Sequence, residues 1–277
     1  MLQFYKFIKR RIRLSLRYIR FVGSTYYCPL CNRTARTFTP ITTYPGQETI
    51  DKYQIVAMGI NPHYRCPWCN SSDKERLVWK YLTTKTDVVT TKRPLSVLHI
   101  APEKNTQKKF RARPNITYIV GDMFSGASKY TSEHYGGAIY LDITDMSRFK
   151  DGTFDVIICN HVLEHVIDDR RGMREIYRTL KSGGFAILQV PVSRNIESSI
   201  EDLSALTEEE RTERFGQSDH VRIYAEKDYL SRLAEVGFAV ENIPCGILCP
   251  KKDAELWAVN RSESVYVAKK RSDILTP

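Results

Sequence analysis

The chain has 277 residues, a formal net charge of +10, 42% hydrophobic residues and 27% charged residues. This length can bury a large core with a small additional domain, and the composition is ordinary for a globular protein. No apolar run approaches the roughly 20 residues that cross a bilayer, and arginines interrupt the N-terminal apolar runs. We therefore expect no membrane span, no cleaved secretory signal and a cytoplasmic location.

The positive charge is concentrated at the N-terminus. Residues 1–20 contain seven lysines and arginines and no acidic residue, whereas the remainder of the chain is nearly neutral. Residues 1–22 have the periodicity of a basic amphipathic helix, with Lys and Arg in one stripe and aromatic and aliphatic residues around it. Such a helix could lie on an anionic membrane surface, peripherally at its inner face, or pack on its own protein or on a second subunit. The sequence does not determine the oligomeric state.

Two nearly identical cysteine motifs follow, "YCPLCN" and "RCPWCN". Two C-x-x-C pairs in a chain without an export signal favour metal binding over disulfides, and four thiolates complete a tetrahedral zinc site. The predicted ligands are Cys28, Cys31, Cys66 and Cys69. With no open coordination position this Zn²⁺ is structural, and residues 23–83 are predicted to form a zinc ribbon with a linking helix. We expect Cys159, Cys245 and Cys249 to be structural and not ligands.

From residue 84 onward, strands and helices alternate, which predicts a doubly wound α/β domain over residues 84–277 with a mostly parallel sheet. Ser72 and Glu75, in "SSDKERLVWKYL", have the spacing of a capping box. The predicted strands are 95–100, 116–121, 137–142, 154–159, 184–191, 238–244 and 263–269. The predicted helices are 103–111, 168–181 and 225–236. Gly183–Gly184 is a predicted helix C-cap, and residues 196–219 are an acidic insertion.

The stretch "PLSVLHIAPEKN", residues 94–105, is a strand that runs directly into a helix. This type of junction is often a glycine-rich cofactor loop, but no glycine is present here. Ala101 is the small residue that would still allow close backbone approach. Glu103 lies where it complements the dipole of the following helix.

Residues 152–191 carry the strongest functional signal. "FDVIICNHVLEHV" and "LKSGGFAILQVP" resemble the class I S-adenosylmethionine-dependent methyltransferases, in their type 11-like subgroup. The resemblance covers roughly residues 92–270 and departs at Ser182, where proline is usual, and at the glycine-free junction. A cysteine ribbon before "SSDKERLVWKYL" resembles a smaller set of zinc-ribbon methyltransferase-domain proteins. The resemblance to the class I methyltransferases implies a seven-stranded, Rossmann-like sheet with an antiparallel last strand.

The resemblance also implies where S-adenosyl-L-methionine would bind. By position, the first junction is His99, Ala101, Pro102 and Glu103, with Glu103 replacing the usual acidic contact and reaching the cofactor's ammonium. The remaining cofactor-binding candidates are Asp122 for the ribose, Asp142 and Ile143 for adenine, and Asn160 for the methionine portion. Asp122 and Asp142 also fit the simpler role of loop acids or helix caps.

Two histidines are the candidate catalytic residues. A hydroxyl acceptor must lose a proton, and a histidine with a near-neutral pKa suits that role. His161 follows the fourth strand near the expected methyl group, and His220 belongs to a polar cluster with Gln217, Asp219 and Arg222. Glu164 and His165 fit a bracing role in the loop.

Three functions remain open from the sequence. The first is an enzyme that methylates a small molecule or glycan-type acceptor. The second is an RNA methyltransferase that holds nucleic acid with the ribbon and the basic N-terminus, although residues 21–83 carry a net charge of only +3 from seven bases and four acids. The third is a non-enzymatic binding module with a degenerate cofactor loop.

Overall fold

The computed structural model describes residues 18–123, 137–204 and 207–272. The strands are β1 (Tyr26–Cys28), β2 (Arg33–Ala35), β3 (Thr39–Ile41), β4 (Ile55–Val56), β5 (Asn61–Arg65), β6 (Leu95–Ile100), β7 (Ile116–Asp122), β8 (Ile139–Tyr140), β9 (Phe154–Asn160), β10 (Leu180–Gln189), β11 (Val192–Ser193), β12 (Ile200–Glu201), β13 (Arg222–Ala225), β14 (Ala239–Pro244) and β15 (Ser264–Lys269). The helices are α1 (Gln47–Tyr53), α2 (Asp73–Thr84), α3 (Lys104–Arg111), α4 (Asp169–Thr179), α5 (Glu208–Phe215), α6 (Glu226–Val236), α7 (Cys245–Leu248) and α8 (Lys251–Leu256), with a 3₁₀ turn at Leu163–His165.

The central sheet has seven strands in the order β8-β7-β6-β9-β10-β15-β14. Strands β6 to β10 pair in parallel, and β15 is antiparallel to both of its neighbours, β10 and β14. The predicted seven-stranded α/β sheet with an antiparallel last strand is confirmed. The chain moves outward from β6 to β8 and then returns to place β9 on the other side of β6. This reversal creates a crevice at the carboxyl ends of β6 and β9, where open α/β sheets bind ligands.

Hydrophobic clusters cover both faces of the sheet. On one face, Ile176 of α4 and Leu233 of α6 are fully buried in a cluster with Leu188 of β10. On the other face, Leu77 of α2 packs in a cluster with Val97 of β6. Both helical layers bury apolar side chains on strands that are apolar on both sides, which accounts for the near-continuous hydrophobic runs of β6 and β9.

The cysteine-bearing segment shares this core. Its fully buried Phe38 belongs to the same cluster as Val97 of β6 and Val267 of β15. The segment is more elaborate than one ribbon hairpin: β1 pairs with β2, β3 pairs with β5, and the intervening β4 pairs with β11 beyond the main sheet. Helix α1 packs on α5 of the acidic insertion. The N-terminal segment and the insertion therefore form one wall above the sheet.

Arg76 joins this wall to the C-terminal part of the chain. Its side chain is fully buried, and its guanidinium donates hydrogen bonds to Ser71 O at 2.8 Å, Trp257 O at 2.6 Å and Ala258 O at 2.8 Å. A planar guanidinium with five donors can satisfy several carbonyls that converge from different segments. Arg76 thereby fixes the position of the second cysteine motif relative to the sheet.

The glycine pair does not cap a helix as predicted. Helix α4 ends at Thr179, and Leu180 already pairs with Phe154 as the first residue of β10. Gly183, with φ +77°, lies in the irregular stretch before the register resumes at Phe185. The helix is shorter than its periodicity suggested because strand pairing takes over two residues earlier than the predicted end.

Most of the predicted basic helix, residues 1–17, lies outside the described residues. Tyr18 and Phe21 pack their rings against Trp68 of the second cysteine motif, with centroid distances of 6.1 and 6.4 Å. Among the helices that the structure describes, none is long and apolar enough to cross a membrane.

Candidate active site

A cleft of about 1320 Å³ opens at the carboxyl ends of β6 and β9. Ala101, Pro102 and Glu103 line it after β6, and Asn160 and His161 line it after β9. Five of the predicted site residues therefore meet at the point where the strand order reverses. The N-terminal segment supplies the facing wall, including Tyr64, Trp68, Lys74 and Glu75.

The glycine-free junction adopts a backbone conformation that glycine would favour. Ala101 has φ +49°, in the left-handed region, and its N–H donates to Gly121 O at 2.9 Å. A single alanine in this region costs on the order of 1 kcal/mol, because its Cβ is close to the following carbonyl oxygen. The turn is thus made without glycine, with the smallest side chain that carries a Cβ.

Glu103 is held on both sides of the cleft. Its Oε2 lies 2.7 Å from His99 Nε2, and its Oε1 accepts a hydrogen bond from Asn160 Nδ2 at 2.8 Å. Burial alone would raise the pKa of Glu103, but these hydrogen bonds and the charge of His99 outweigh it and lower the pKa. Glu103 lies at the N-cap of α3, just before the first turn, and its partly exposed side chain keeps acceptor capacity toward the cleft.

His99 holds this carboxylate in position from within the sheet. Its side chain is fully buried in β6, and its Nδ1 lies 2.8 Å from the Tyr118 hydroxyl. Asn160 has a buried Oδ1 with no hydrogen-bond partner, although its Nδ2 is engaged by Glu103. A buried amide oxygen without a partner is uncommon, and a ligand in the cleft would satisfy it.

Glu75 is a residue of the site that the sequence analysis missed. The Ser72 hydroxyl accepts from Glu75 N at 3.1 Å, which is half of the predicted capping box. The Glu75 carboxylate turns instead to the start of α3, where it accepts from Thr106 N at 2.8 Å. Burial, reinforced by the negative charge of Glu103, raises the pKa of Glu75 to about 7. The sequence spacing predicted a local capping role for Glu75, so its contact with α3 was not predicted.

The candidates after β7 and β8 lie farther along the same edge and do not contribute to the described lining of the cleft. Asp142 accepts hydrogen bonds from the N–H and hydroxyl of Thr144, both at 2.8 Å, which is a local turn contact. Ile143 is 4% exposed and packs in the core. Asp122 ends β7, two residues before the segment 124–136, which lies outside the described part of the chain.

A cluster of histidines surrounds Glu164 at the other end of the cleft. Glu164 Oε1 lies 3.2 Å from His161 Nδ1 and 4.0 Å from His165 Nε2. The rings of His165 and His220 contact each other edge-on, with 4.7 Å between their centroids. Ligand atoms of Glu164, His165 and His220 all lie within 4.8 Å of one another. His161 has φ +55°, which turns the chain sharply as it leaves β9.

Burial sets the charge state of this cluster. It opposes ionisation of Glu164, but the hydrogen bond from His161 and the nearby histidines outweigh it and lower the pKa to about 2. Burial lowers the pKa of His161 and lowers that of His220 to about 4. Glu164 is therefore ionised and His220 neutral at neutral pH, and burial also favours the neutral form of His161.

The polar cluster predicted around His220 divides into two parts. Gln217 and Asp219 line the cleft and share a hydrogen bond of 2.8 Å from Gln217 Nε2 to Asp219 Oδ1. Arg222 is 2% exposed and binds Leu163 O at 2.8 Å and Ile167 O at 2.9 Å. It therefore holds the loop that carries Glu164 and His165, because its donors are directed into the protein.

The four predicted metal ligands converge. The Sγ atoms of Cys28, Cys31, Cys66 and Cys69 lie within 4.8 Å of one another, including pairs at 3.6 and 3.8 Å. Four sulfurs at 2.3 Å from a tetrahedral zinc ion would be about 3.8 Å apart, so the donor set fits. Asn32 and Asn70 have φ values of 56° and 64°, the left-handed turns expected after each second cysteine. Cys159, Cys245 and Cys249 are buried elsewhere in the core.

A second cavity of about 660 Å³ adjoins the cleft and was not foreseen from the sequence. Tyr64, Lys74 and Gln217 line both spaces. Glu263 also lines this cavity; it is 4% exposed, and its Oε1 has no hydrogen-bond partner. Burial raises the pKa of Glu263 to about 8, so its carboxyl is largely protonated at neutral pH.

Comparisons with known proteins find similarity over the central part of the chain. Residues 87–188 match the family described as a methyltransferase domain, and no curated protein matches the chain. Among solved structures, the CurJ carbon methyltransferase has 17% identity over 71% of this chain and 54% of its own length, with a TM-score of 0.47. A SAM-dependent methyltransferase from Archaeoglobus fulgidus has 14% identity over 73% of this chain and 96% of its own length, with a TM-score of 0.46. The Burkholderia thailandensis 1,6-didemethyltoxoflavin-N1-methyltransferase was solved with 1,6-didemethyltoxoflavin and S-adenosylhomocysteine. It has 13% identity over 71% of this chain and 76% of its own length, with a TM-score of 0.39.

The sheet order and the family match define the class: the fold is that of the class I methyltransferases. The matched segment begins before β6 and ends within β10, so it includes both sides of the cleft. The family match agrees with the part of the sequence resemblance that lies within residues 87–188. The cysteine segment and the C-terminal strands lie outside the match.

Proposed function

We propose that the protein is an S-adenosyl-L-methionine-dependent methyltransferase that acts on a small-molecule or glycan-type acceptor, with a structural Zn²⁺ in its cysteine ribbon. The observation that carries this proposal is the paired arrangement of Glu103 and Asn160 at the switch point. A carboxylate with free acceptor capacity and a buried amide oxygen without a partner both suit an ammonium donor.

When bound, S-adenosyl-L-methionine supplies a methyl group on a positively charged sulfur. Glu103 and Asn160 would hold the amino-acid portion, and the backbone at Ala101 and Pro102 would line its path. His99 is a positioning residue, because it is buried and acts through Glu103. Asp122 lies at the end of β7 and is the proposed ribose contact. Asp142 and Ile143 follow β8 and are the proposed adenine contacts.

His161 and His220 are the proposed catalytic residues at the acceptor. His161 lines the cleft beside Asn160, and His220 lies behind His165 at the same end. If His161→Ala and His220→Ala both retain wild-type kcat on the true substrate, neither residue takes part in the reaction. The prediction that one of them removes the acceptor's proton rests on that experiment.

The adjoining 660 Å³ cavity is the proposed acceptor chamber. Tyr26, Tyr44 and Tyr64 give it aromatic walls, and Asn61 and Glu263 give it hydrogen-bonding groups. Aromatic surfaces with a few polar groups suit a sugar ring or a small polar molecule better than an extended polymer. Lys74 lines both the chamber and the cleft, so an acceptor there would lie beside the cofactor.

Zinc in the ribbon would stabilise the wall of the cleft, because Trp68, Cys69 and Asn70 of the second cysteine motif line the cleft directly. Four sulfur ligands leave no open position, so this ion has no role in methyl transfer. Its loss would loosen one side of the cofactor and acceptor sites without removing a reacting group.

Calorimetry with S-adenosylhomocysteine tests the central proposal. Binding at micromolar Kd supports the enzyme. No binding at about 1 mM ligand, equivalent to a free energy weaker than about −4.1 kcal/mol, favours a non-enzymatic module that has lost the cofactor. Methyl transfer from labelled cofactor to a panel of sugars and small hydroxyl compounds then identifies the acceptor.

RNA methylation is a second candidate, favoured by basic and aromatic residues at the rim of the cleft. Arg33 lies 4.4 Å from the Trp68 ring centroid and Arg65 lies 4.7 Å from that of Tyr64. Lys104 and Lys108 line the same cleft. RNA binding would weaken steeply as salt increases, because phosphate contacts release counterions. Binding of a short RNA that persists at low salt and vanishes at high salt supports this candidate over the small acceptor.

Peripheral membrane contact through residues 1–22 also remains a proposal. The packing of Tyr18 and Phe21 on Trp68 supports the alternative in which the end of this segment packs on its own protein. Pelleting with anionic liposomes compares the full chain with a chain lacking residues 1–17. Equal pelleting of the two excludes a membrane role for those residues.

A further inference from the structure

We propose that Glu164, His165 and His220 bind a divalent transition-metal ion at the acceptor end of the cleft. Two imidazoles and one carboxylate are ligands suited to Mn²⁺, Fe²⁺, Co²⁺ or Zn²⁺. This site is separate from the cysteine cluster, and both its ligands and its position differ from those of a structural zinc site. The role given to the ion in the reaction rests on the proposed function, whereas binding of the ion does not.

The geometry is close to that of a metal centre. The three ligand atoms lie within 4.8 Å of one another, and Glu164 Oε1 is 4.0 Å from His165 Nε2. Ligand atoms at about 2.0–2.2 Å from one ion lie roughly 3–4 Å apart. Side-chain shifts of about 1 Å or less would therefore bring the three groups to coordination distance.

The buried carboxylate lacks the cation that its surroundings require. Glu164 is 1% exposed, and its Oε2 has no hydrogen-bond partner. In the described structure the basic groups within 4.0 Å of it are His161 and His165, with no lysine or arginine. A buried carboxylate is normally paired with a charge or coordinates a metal.

His220 is the third member of the cluster. It is 3% exposed, and its ring contacts that of His165 edge-on, with 4.7 Å between the ring centroids. Its ligand nitrogen lies within 4.8 Å of the ligand atoms of Glu164 and His165. One divalent ion bound by His220 and His165 would supply the partner that Glu164 Oε2 lacks.

The second coordination sphere is already present. Arg222 fixes the loop that carries Glu164 and His165 through hydrogen bonds to Leu163 O and Ile167 O. His161 Nδ1 holds the Glu164 carboxylate at 3.2 Å, and Asp219 Oδ2 lies 3.4 Å from His165 Nδ1. Such partners orient metal ligands and fix which nitrogen of a histidine is available.

The position of the cluster points to catalysis. His161, His165 and Asp219 line the cleft, so one side of the cluster faces the ligand space. Three protein ligands leave coordination positions for an acceptor oxygen, as in catalytic metal sites. A metal-bound hydroxyl loses its proton more readily, and His161, which lines the cleft and is not one of the three ligands, would accept that proton. The oxygen then forms a bond to the methyl carbon, while the carbon–sulfur bond breaks and its electron pair remains on sulfur.

Manganese binding tests the site without cofactor or acceptor. Mn²⁺ prefers nitrogen and oxygen ligands, so it should leave zinc in the four-cysteine site. The probe is MnCl₂, titrated into the full chain with its ribbon zinc retained, and bound ion is measured by loss of the free Mn²⁺ paramagnetic resonance signal. We expect one Mn²⁺ per chain. The variants Glu164→Gln and His220→Ala should bind at least about tenfold more weakly, and the control His63→Ala, outside the cluster, should bind as wild type.

Circular dichroism and thermal denaturation of each variant show whether it is folded, independently of either proposed ligand. The proposal is overturned if the wild type binds no Mn²⁺ below about 1 mM. It is also overturned if folded Glu164→Gln and His220→Ala bind Mn²⁺ like the wild type. Failure of the methyltransferase proposal would appear separately, as absent S-adenosylhomocysteine binding with manganese binding intact.

Discussion

Glu103 and Asn160 are 57 residues apart in the sequence and share a hydrogen bond of 2.8 Å across the floor of the cleft. Glu103 follows the first strand of the methyltransferase sheet and Asn160 the fourth, so the bond joins the two sides of the switch point. His99 holds the second oxygen of the same carboxylate at 2.7 Å. The cleft proposed to bind the cofactor is thus preorganised by contacts that no short stretch of sequence contains.

Replacing the Glu103 carboxylate by an amide should weaken cofactor binding. In Glu103→Gln the side chain keeps its size but loses the negative charge proposed to bind the ammonium group. A hydrogen bond to a charged group is worth about 1.5–3 kcal/mol, so we expect the Kd for S-adenosylhomocysteine to rise roughly 10- to 100-fold. Calorimetry measures it, with Asp219→Asn at the other end of the cleft as the control. An unchanged Kd would mean that Glu103 does not bind the cofactor.

The backbone at Ala101 should tolerate glycine and reject a branched side chain. At φ +49°, Ala101→Gly removes the Cβ strain but adds freedom to the unfolded chain, so stability should change by less than about 1 kcal/mol. Ala101→Val should lose about 1–3 kcal/mol and bind S-adenosylhomocysteine more weakly. Urea denaturation compares these variants with Ala112→Val, an exposed control at φ −76°. A fully stable Ala101→Val would show that the turn does not need a small residue.

Removing one ribbon cysteine should remove the zinc. Cys66→Ser takes one ligand from the four-sulfur cluster, and a structural zinc site contributes directly to folding. We expect elemental analysis to show about one zinc per wild-type chain and almost none in the variant, with a Tm lower by roughly 5 °C or more. Cys249→Ala, a buried cysteine outside the cluster, should keep its zinc. Zinc retained in Cys66→Ser, or absent from the wild type, contradicts the site.

Glu263 should make the stability of the protein depend on pH. Burial raises its pKa to about 8 in the folded state, against about 4.3 in an unfolded chain. Between these values the native state holds a proton that the unfolded state has released, so the contribution of this group to stability falls as pH rises. It is fully present below about pH 4 and is lost by about pH 8.

The measurement is the free energy of unfolding across this pH range for wild type and Glu263→Gln. The wild type should lose stability relative to Glu263→Gln steadily as pH rises, because glutamine does not titrate. Glu241→Gln, at a carboxylate that is 46% exposed and paired with Lys269, is the matched control with a much smaller slope. Parallel pH curves for wild type and Glu263→Gln would show that this carboxyl has an ordinary pKa.

The sequence by itself determined the elements of the sheet and the local chemistry of each motif. Hydrophobic runs located β6 and β9, because a strand buried on both faces is nearly apolar throughout. The alternation of strands and helices located β7, β10, β14 and β15. Cysteine spacing located the four-sulfur cluster, because each C-x-x-C motif brings two thiolates together within one turn. The junction after β6 was proposed as a cofactor loop without glycine, because its neighbours along the chain carried the family pattern.

Only the tertiary structure decided how these parts combine. Glu75 binds the start of α3 instead of its own N-cap, and Gly183 lies in β10 instead of capping α4, because long-range pairing overrode local capping signals. Glu164, His165 and His220 come together because the insertion folds back on the loop after β9, a contact across more than 50 residues with no periodicity to reveal it. Local sequence specifies a conformation through nearby atoms, but burial and charge pairing depend on which distant segments meet.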